Sequence, residues 1–314
     1  KFKGVTMSEG KKLIAVAGET LSDLVFQADG LIAPKLGGSP YNFASALARL
    51  GRNTCYLNPL STDYFGQEFA KQMEENGLKQ VAQSVNLPTS LALVRIADDG
   101  QPTYSFYREG MADRSKSPAQ VLADLPEQSQ VFHVGSLALI PPDGQEWTEV
   151  LKTLSQRGIT TSVDVNMRLI ASQDHASYRD TIHALVPYAS IIKVSDEDLH
   201  AIGKTKDAIE EAKSLINSNA STKIVVLTLG AEGAWAITKD AAQFCPGPKV
   251  KVVDTVGAGD CFYAGFICYL DENGLLDIAP TEAQLQEALQ FASKVTSFNL
   301  QQQGCVPPWR HQVA

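Results

Sequence analysis

Short runs of uninterrupted apolar residues, each followed by a stretch with helical spacing, constrain the fold of this chain more than any other feature. The runs are Leu13 to Glu19, Val131 to Leu137, Thr160 to Val165, Ile191 to Val194 and Ile224 to Leu229, with a further apolar stretch at Cys55 to Leu60. A strand that is apolar at nearly every position is buried on both faces. Helical spacing falls at Tyr41 to Leu50, where Phe43, Ala44, Leu47 and Leu50 share one face and Gly51 follows as a stop. It recurs near Gly66 to Asn76, Gln145 to Gln156, Tyr178 to Val186, Ala208 to Asn217, Ala258 to Tyr269 and Glu282 to Phe298. Strands spaced by helices predict an α/β three-layer sandwich around a mostly parallel sheet.

The alternation breaks between Ser90 and Tyr107. Two strand-like runs, Ser90 to Ala97 and Thr103 to Tyr107, flank the turn signal Asp98-Asp99-Gly100, which predicts a β-hairpin. With Leu21 to Leu31 it forms a small separate sheet at one end of the main body. A second hairpin is expected through Ala234 to Phe244. The expected organisation is a single domain over 12–314, with lid segments at about 21–35 and 89–109. Residues 1–11 are polar and unpatterned, and read as a tag remnant or a disordered N-terminus, with Lys1 to Thr6 as tag and Met7 as a native start.

The net charge of −8 carries no block of like charges, so nucleic acid and anionic membrane surfaces are not expected partners. No run is long and apolar enough to span a bilayer. The five cysteines include no CxxC pair and are odd in number, which argues against a disulfide framework and a zinc site and for a reducing, cytoplasmic setting. Cys261 and Cys268 lie on an apolar helix, and His133 sits in an apolar strand; all three read as core residues.

The chemistry concentrates in Asp254-Thr255-Val256-Gly257-Ala258-Gly259-Asp260, followed by the apolar run Cys261 to Phe266. The segment reads as a bare turn entering a helix. The first amides of a helix lack partners within it and sit at the positive end of its dipole, so they can hold an anion. Asp260 stands beside them. An anion hole next to a carboxylate suits phosphoryl transfer: the amides hold the charge of the moving group, and the carboxylate takes the proton of the attacking hydroxyl. A second glycine turn, Gly37-Gly38-Ser39-Pro40-Tyr41-Asn42, opens the helix ending at Leu50. Alone it is either a tight turn or a close backbone approach to a ligand, with Asn42 offering donor and acceptor.

These two segments, in this order, resemble the C-terminal and N-terminal signatures of the ribokinase-like (PfkB) carbohydrate kinases, with closest likeness to fructokinases. The resemblance covers essentially the whole chain after Lys12 and implies that fold, magnesium-ATP as co-substrate and a sugar under a lid. It implies Asp260 as general base and Gly257, Ala258 and Gly259 as the anion hole. Asp23, Gly37, Gly38 and Asn42 match sugar-contacting positions. Asp164-Val165-Asn166-Met167-Arg168 resembles the D-x-N-x-R run of fructokinases and 2-keto-3-deoxygluconate kinases, so Asn166 and Arg168 are candidate substrate ligands. Tyr104, Phe106 and Arg108 come from the lid hairpin, the aromatics to pack on a sugar face and Arg108 as a second cation over the transfer site. Lys193-Val194-Ser195-Asp196-Glu197-Asp198 aligns with the family's N-x-x-E motif, with Ser195 in place of asparagine and Asp198 in place of glutamate; Asp198 is the candidate for holding magnesium through water, with Asp196 or Glu197 as the alternative. Thr228-Leu229-Gly230-Ala231-Glu232-Gly233 resembles the ATP-binding turn, which implicates Thr228, Gly230 and Gly233. Asp254 and Thr255 match groups near a monovalent cation, so potassium is a further candidate. Fructose is the expected acceptor; 2-keto-3-deoxygluconate and then a nucleoside are the alternatives, and a catalytically silent sugar sensor is the non-enzyme alternative. Such lids pair between subunits, so a homodimer through the lid is also expected.

Overall fold

The computed structural model describes residues 12–27, 29–96, 102–204, 206–217 and 221–314. The Asp98-Asp99-Gly100 turn and the expected N-terminal tag lie outside these residues. In chain order the strands are β1 (Leu13–Val16), β2 (Leu21–Phe26), β3 (Ile32–Gly37), β4 (Thr54–Tyr56), β5 (Lys79–Gln80), β6 (Ser90–Ile96), β7 (Pro102–Tyr107), β8 (Ser129–Gly135), β9 (Thr160–Asp164), β10 (Ile191–Ser195), β11 (Ile224–Thr228), β12 (Gly233–Ile237) and β13 (Ala242–Pro246). The α-helices are α1 (Ser39–Arg49), α2 (Tyr64–Asn76), α3 (Pro118–Ala123), α4 (Asp143–Gln156), α5 (His175–Leu185), α6 (Asp196–Ala201), α7 (Ala208–Asn217), α8 (Ala258–Glu272) and α9 (Glu282–Leu300).

Nine strands form the main sheet in the order β13-β12-β11-β10-β9-β8-β1-β4-β5. All neighbours from β5 to β11 are parallel, and β12 and β13 close one edge as the expected antiparallel hairpin. The apolar runs are explained by burial on two sides. Ile14 and Val16 face a core shared with α1, α2, α8 and α9, whereas Leu13 and Ala15 face a second core shared with α4, α5 and α7. Val226 and Val225 divide in the same way, as the period of two along a strand requires. The result is the expected three-layer sandwich. Among the described residues no helix is long and apolar enough to cross a membrane.

The expected strand at Cys55 to Leu60 is shorter, ending at Tyr56, because Leu57 to Leu60 turn toward α2. The helix after it begins at Tyr64 rather than Gly66, because Asp63 caps it by accepting from the Gly66 amide at 2.8 Å.

The remaining strands form a four-stranded sheet in the order β3-β2-β6-β7. It packs through Leu21, Ala92 and Phe106 onto Leu137, just beyond β8. The main sheet reverses its direction of growth at β1, with β4 and β5 on one side and β8 to β13 on the other. Ligands in open α/β sheets sit outside the carboxyl ends of strands at such a switch point. The small sheet stands over this place.

Candidate active site

A cleft of about 390 Å³ opens at the switch point. Its floor is the start of α8 and the end of β1; its roof is the small sheet, through Asp23, Tyr104 and Phe106. A second cleft of about 410 Å³ adjoins it, and Asn166, Arg168, Lys193 and Gly259 line both.

Gly257 precedes α8 in a left-handed conformation, φ +71°. A Cβ there would stand 2.2 Å from the Cys305 Sγ, so only glycine fits. The amides of Gly257, Gly259 and Asp260 have no partner among the described residues. The Ala258 amide differs from expectation: it donates to the Thr255 carbonyl at 3.1 Å, closing the turn, so the amides left open there are those of Gly257, Gly259 and Asp260. The Asp260 carboxylate is buried beside them and held from both sides. Ser39 Oγ donates to one oxygen at 2.7 Å and Asn42 Nδ2 to the other at 2.9 Å. Ser39 and Asn42 lie one helical turn apart in α1, so the glycine turn at Gly37 and Gly38 serves to aim two donors at one carboxylate.

Lys193 lies at the junction of the two clefts. Its buried Nζ donates to both oxygens of Asp164, each at 2.9 Å. Burial would lower the lysine, but the Asp164, Asp198 and Asp260 carboxylates outweigh it and hold it up. Burial raises Asp164 to about 6; Lys193 opposes that rise, while Asp260 and Asp198 add to it. The site is therefore a buried ammonium among three carboxylates, one of them at the anion hole.

Asp23 lines the cleft from β2, and burial raises it to about 6 against the opposing charges of Lys35 and Arg168. Gly38, with φ +108°, lines the cleft and passes so close to the Glu19 carbonyl that a Cβ would lie 2.4 Å from it. Gly37 does not line it; it pairs with Leu21 in the small sheet. Tyr104 and Phe106 stack in parallel, with ring centroids 5.8 Å apart, and both face the cleft.

Several expectations need correction. Arg108 does not line the cleft: its Nη1 donates to the Leu137 carbonyl at 3.2 Å, and its charge lies beside the buried Glu19 and Asp113, both raised chiefly by burial. Gly230 and Gly233 do not line either cleft. Gly233 is required by strand pairing, since a Cβ there would lie 2.2 Å from the Cys245 carbonyl. Asp254 does not line the cleft, and its side chain is engaged in the turn. Its oxygens accept from the Val256 amide at 3.0 Å and the Gly304 amide at 2.9 Å, and Lys35 Nζ stands 3.5 Å away. Burial acts upward on this carboxyl, but those amides and the lysine hold it below the usual range. Thr255 does line the cleft.

Ser195, Asp198 and Thr228 line the second cleft. Ser195 and Asp198 form a reciprocal cap on α6, and the other Asp198 oxygen accepts from the Met167 amide at 2.7 Å. No group of three acidic, histidine or cysteine side chains suited to a metal occurs among the described residues. Glu197 and Asp198 are the carboxylates that line this second cleft.

Residues that sequence reasoning missed include Ser39, Glu19, Ser136 and Leu137, all at the cleft. The spacing of Ser39 and Asn42 was the one available signal. One buried Glu19 oxygen has no hydrogen-bond partner among the described residues.

The model of the pfkB family carbohydrate kinases matches residues 11–312. The chain is 34% identical to the fructokinase of Rhizobium leguminosarum bv. trifolii over 283 residues, covering 88% of this chain and 86% of that protein. It is 32% identical to probable fructokinase-5 of Arabidopsis thaliana, covering 94% and 93%. Its fold is similar to that of the fructokinase of Xylella fastidiosa solved with bound ATP, with a TM-score of 0.85 at 24% identity over 96% of this chain and 97% of that one. A matching family model over nearly the whole length, on a cleft of this construction, places the chain in the pfkB family of carbohydrate kinases.

Proposed function

We propose that this kinase transfers the γ-phosphoryl group of ATP to the primary hydroxyl of fructose, giving fructose 6-phosphate. The observation that carries the reading is the Asp260 carboxylate, aimed by Ser39 and Asn42 beside three unpartnered amides at the floor of a closed-over cleft. The likeness to fructokinases supports the acceptor.

The sugar lies in the first cleft under Tyr104 and Phe106, with Asp23 and Asn42 accepting and donating to its hydroxyls. The nucleotide lies in the second cleft, along Ser195 and Thr228, with its terminal phosphate at the junction. Asp260 takes the proton of the attacking hydroxyl. The Gly257, Gly259 and Asp260 amides and the Lys193 ammonium face the charge that develops on the phosphoryl oxygens. When bound, magnesium neutralises phosphate charge, and Asp198 is the carboxylate nearest to that role. A monovalent cation would find carbonyl oxygens near Thr255, with Asp254 beside them. The small sheet excludes water, the competing nucleophile. Its exposed Phe26, Leu31 and Ile32 support pairing of two copies through that sheet.

Arg168 is exposed at the cleft and suits a carboxylate, which favours 2-keto-3-deoxygluconate as the second reading. Against it, Arg108 is turned away and engaged with Leu137 and the buried acids. ATP turnover against a panel of fructose, 2-keto-3-deoxygluconate, ribose, glucose and nucleosides decides the acceptor. Asp260→Asn is expected to fold normally and lose about 100- to 10,000-fold in turnover; near-normal turnover would remove Asp260 from the base role.

A further inference from the structure

Two thiols stand directly behind the anion hole. Cys261 follows Asp260 on α8, and its amide donates to the Gly257 carbonyl at 2.8 Å, so it lies one helical turn above Gly257. Cys305 comes from the segment after α9, and its sulfur rests against Gly257, 2.2 Å from where a Cβ would stand. Both cysteines pack in the core cluster around α8, and the Cys305 thiol acts electrostatically on Cys261. Cys261 is fully buried, whereas Cys305 is half-buried. The Arg49 guanidinium lies within electrostatic reach of both sulfurs, and its buried Nε has no hydrogen-bond partner among the described residues. The thiolate is the form that attacks disulfides; the neighbouring Cys305 thiol and burial raise the Cys261 thiol well above its usual range, so the first attack falls to the less buried Cys305. The other cysteines, Cys55, Cys245 and Cys268, are buried.

We propose that Cys261 and Cys305 are a redox-modification site, closing to a disulfide that displaces Gly257 and switches off the anion hole. The oxidant is a small-molecule disulfide. The Cys305 thiolate attacks one of its sulfurs, forming a mixed disulfide and expelling one thiolate. The Cys261 thiolate then attacks the Cys305 sulfur and expels the second. The protein gives up two protons and two electrons, and the oxidant is reduced to two thiols. Because the Cys305 sulfur already touches Gly257, drawing it onto Cys261 has to move either the 301–305 segment or the turn that presents the Gly257 amide.

The test uses the full chain incubated with oxidised glutathione. The expected result is a peptide pair linked through Cys261 and Cys305 by mass spectrometry. Turnover on the best acceptor of the panel should fall about tenfold or more, which is modest against the loss of a whole oxyanion donor, and recover with dithiothreitol. Cys261→Ser and Cys305→Ser should each abolish both the linkage and the sensitivity. The linkage is read by mass and does not depend on which sugar is used, so failure of the fructose reading leaves it intact. Absence of the linkage, or glutathione fixed on another cysteine alone, would overturn the site. A linked protein with unchanged turnover would overturn the switch.

Discussion

Replacing Gly257 with alanine perturbs the turn on which the proposed catalysis depends, and two separate costs can be worked out. The backbone at Gly257 is left-handed, φ +71°, which costs a residue with a Cβ about 1–2 kcal/mol. The added carbon would also lie 2.2 Å from the Cys305 Sγ and 2.7 Å from its Cβ, and overpacking of that kind costs about 1–3 kcal/mol. Together they amount to about 2–5 kcal/mol if the turn holds its place, or a fall in Tm of about 4–10 °C for a chain of this size. If the turn moves instead, the strain is relieved and the amide is lost from the anion hole, which costs about 100- to 1,000-fold in turnover. Thermal unfolding and kcat measured on the same preparation separate the two. Adding Cys305→Gly to Gly257→Ala removes the sulfur and its Cβ, so it should recover the overpacking part and leave the backbone part. A Gly257→Ala protein with wild-type Tm and wild-type turnover would refute the reasoning.

Lys193→Met leaves Asp164 buried without its partner and is expected to cost about 3–5 kcal/mol in denaturant unfolding, besides most of the turnover. Adding Asp164→Asn should return most of the stability and little of the activity, because the cation at the cleft junction stays missing. Asp23, raised from 3.8 to about 6 chiefly by burial, should lose its charge as the pH falls through about 6, so KM for the sugar rises there while kcat changes less. Its folded-state value lies above the unfolded one, so the folded chain binds the proton more tightly and this group's contribution to stability falls as the pH rises from 3.8 to about 6. Asp23→Asn should flatten both dependences.

What could be read from the sequence was what the backbone dictates. The two-faced burial of β1 and β11 appears as unbroken apolar runs, and the αL turn at Gly257 appears as glycine before an apolar helix. Asp260 was legible for the same reason: it is the carboxylate on the first turn of that helix. Features that depend on the direction of a side chain were not legible. Arg108 sits at the end of β7, where a cation over the cleft is as consistent with the sequence as a cation beneath it. The buried carboxylates of Glu19 and Asp113 draw it beneath, and Glu19 is far from it in the chain. Asp254 has the residue type of a cation ligand, and that its oxygens also accept from the Val256 and Gly304 amides could not be read from the sequence. Gly233 has the residue type of a phosphate turn, yet its missing Cβ admits the Cys245 carbonyl of the next strand.

Ser39 shows how little separates the two kinds of residue. In the string Gly37-Gly38-Ser39-Pro40 it reads as part of a chain break, and Asn42 alone draws notice. Once Pro40 fixes the start of α1, residues 39 and 42 fall on one face of its first turn, and both donors point at the same carboxylate. Two neutral donors fix the orientation of the Asp260 carboxylate without placing a positive charge where the proton must arrive. Ser39→Ala and Asn42→Ala should therefore act on one step. Each is expected to lower kcat by about tenfold, while the double variant should fall short of the product of the two, because a carboxylate already freed on one side has less orientation left to lose. Strict multiplication of the two effects would mean that the donors act on different steps, and that the carboxylate is held by something other than α1.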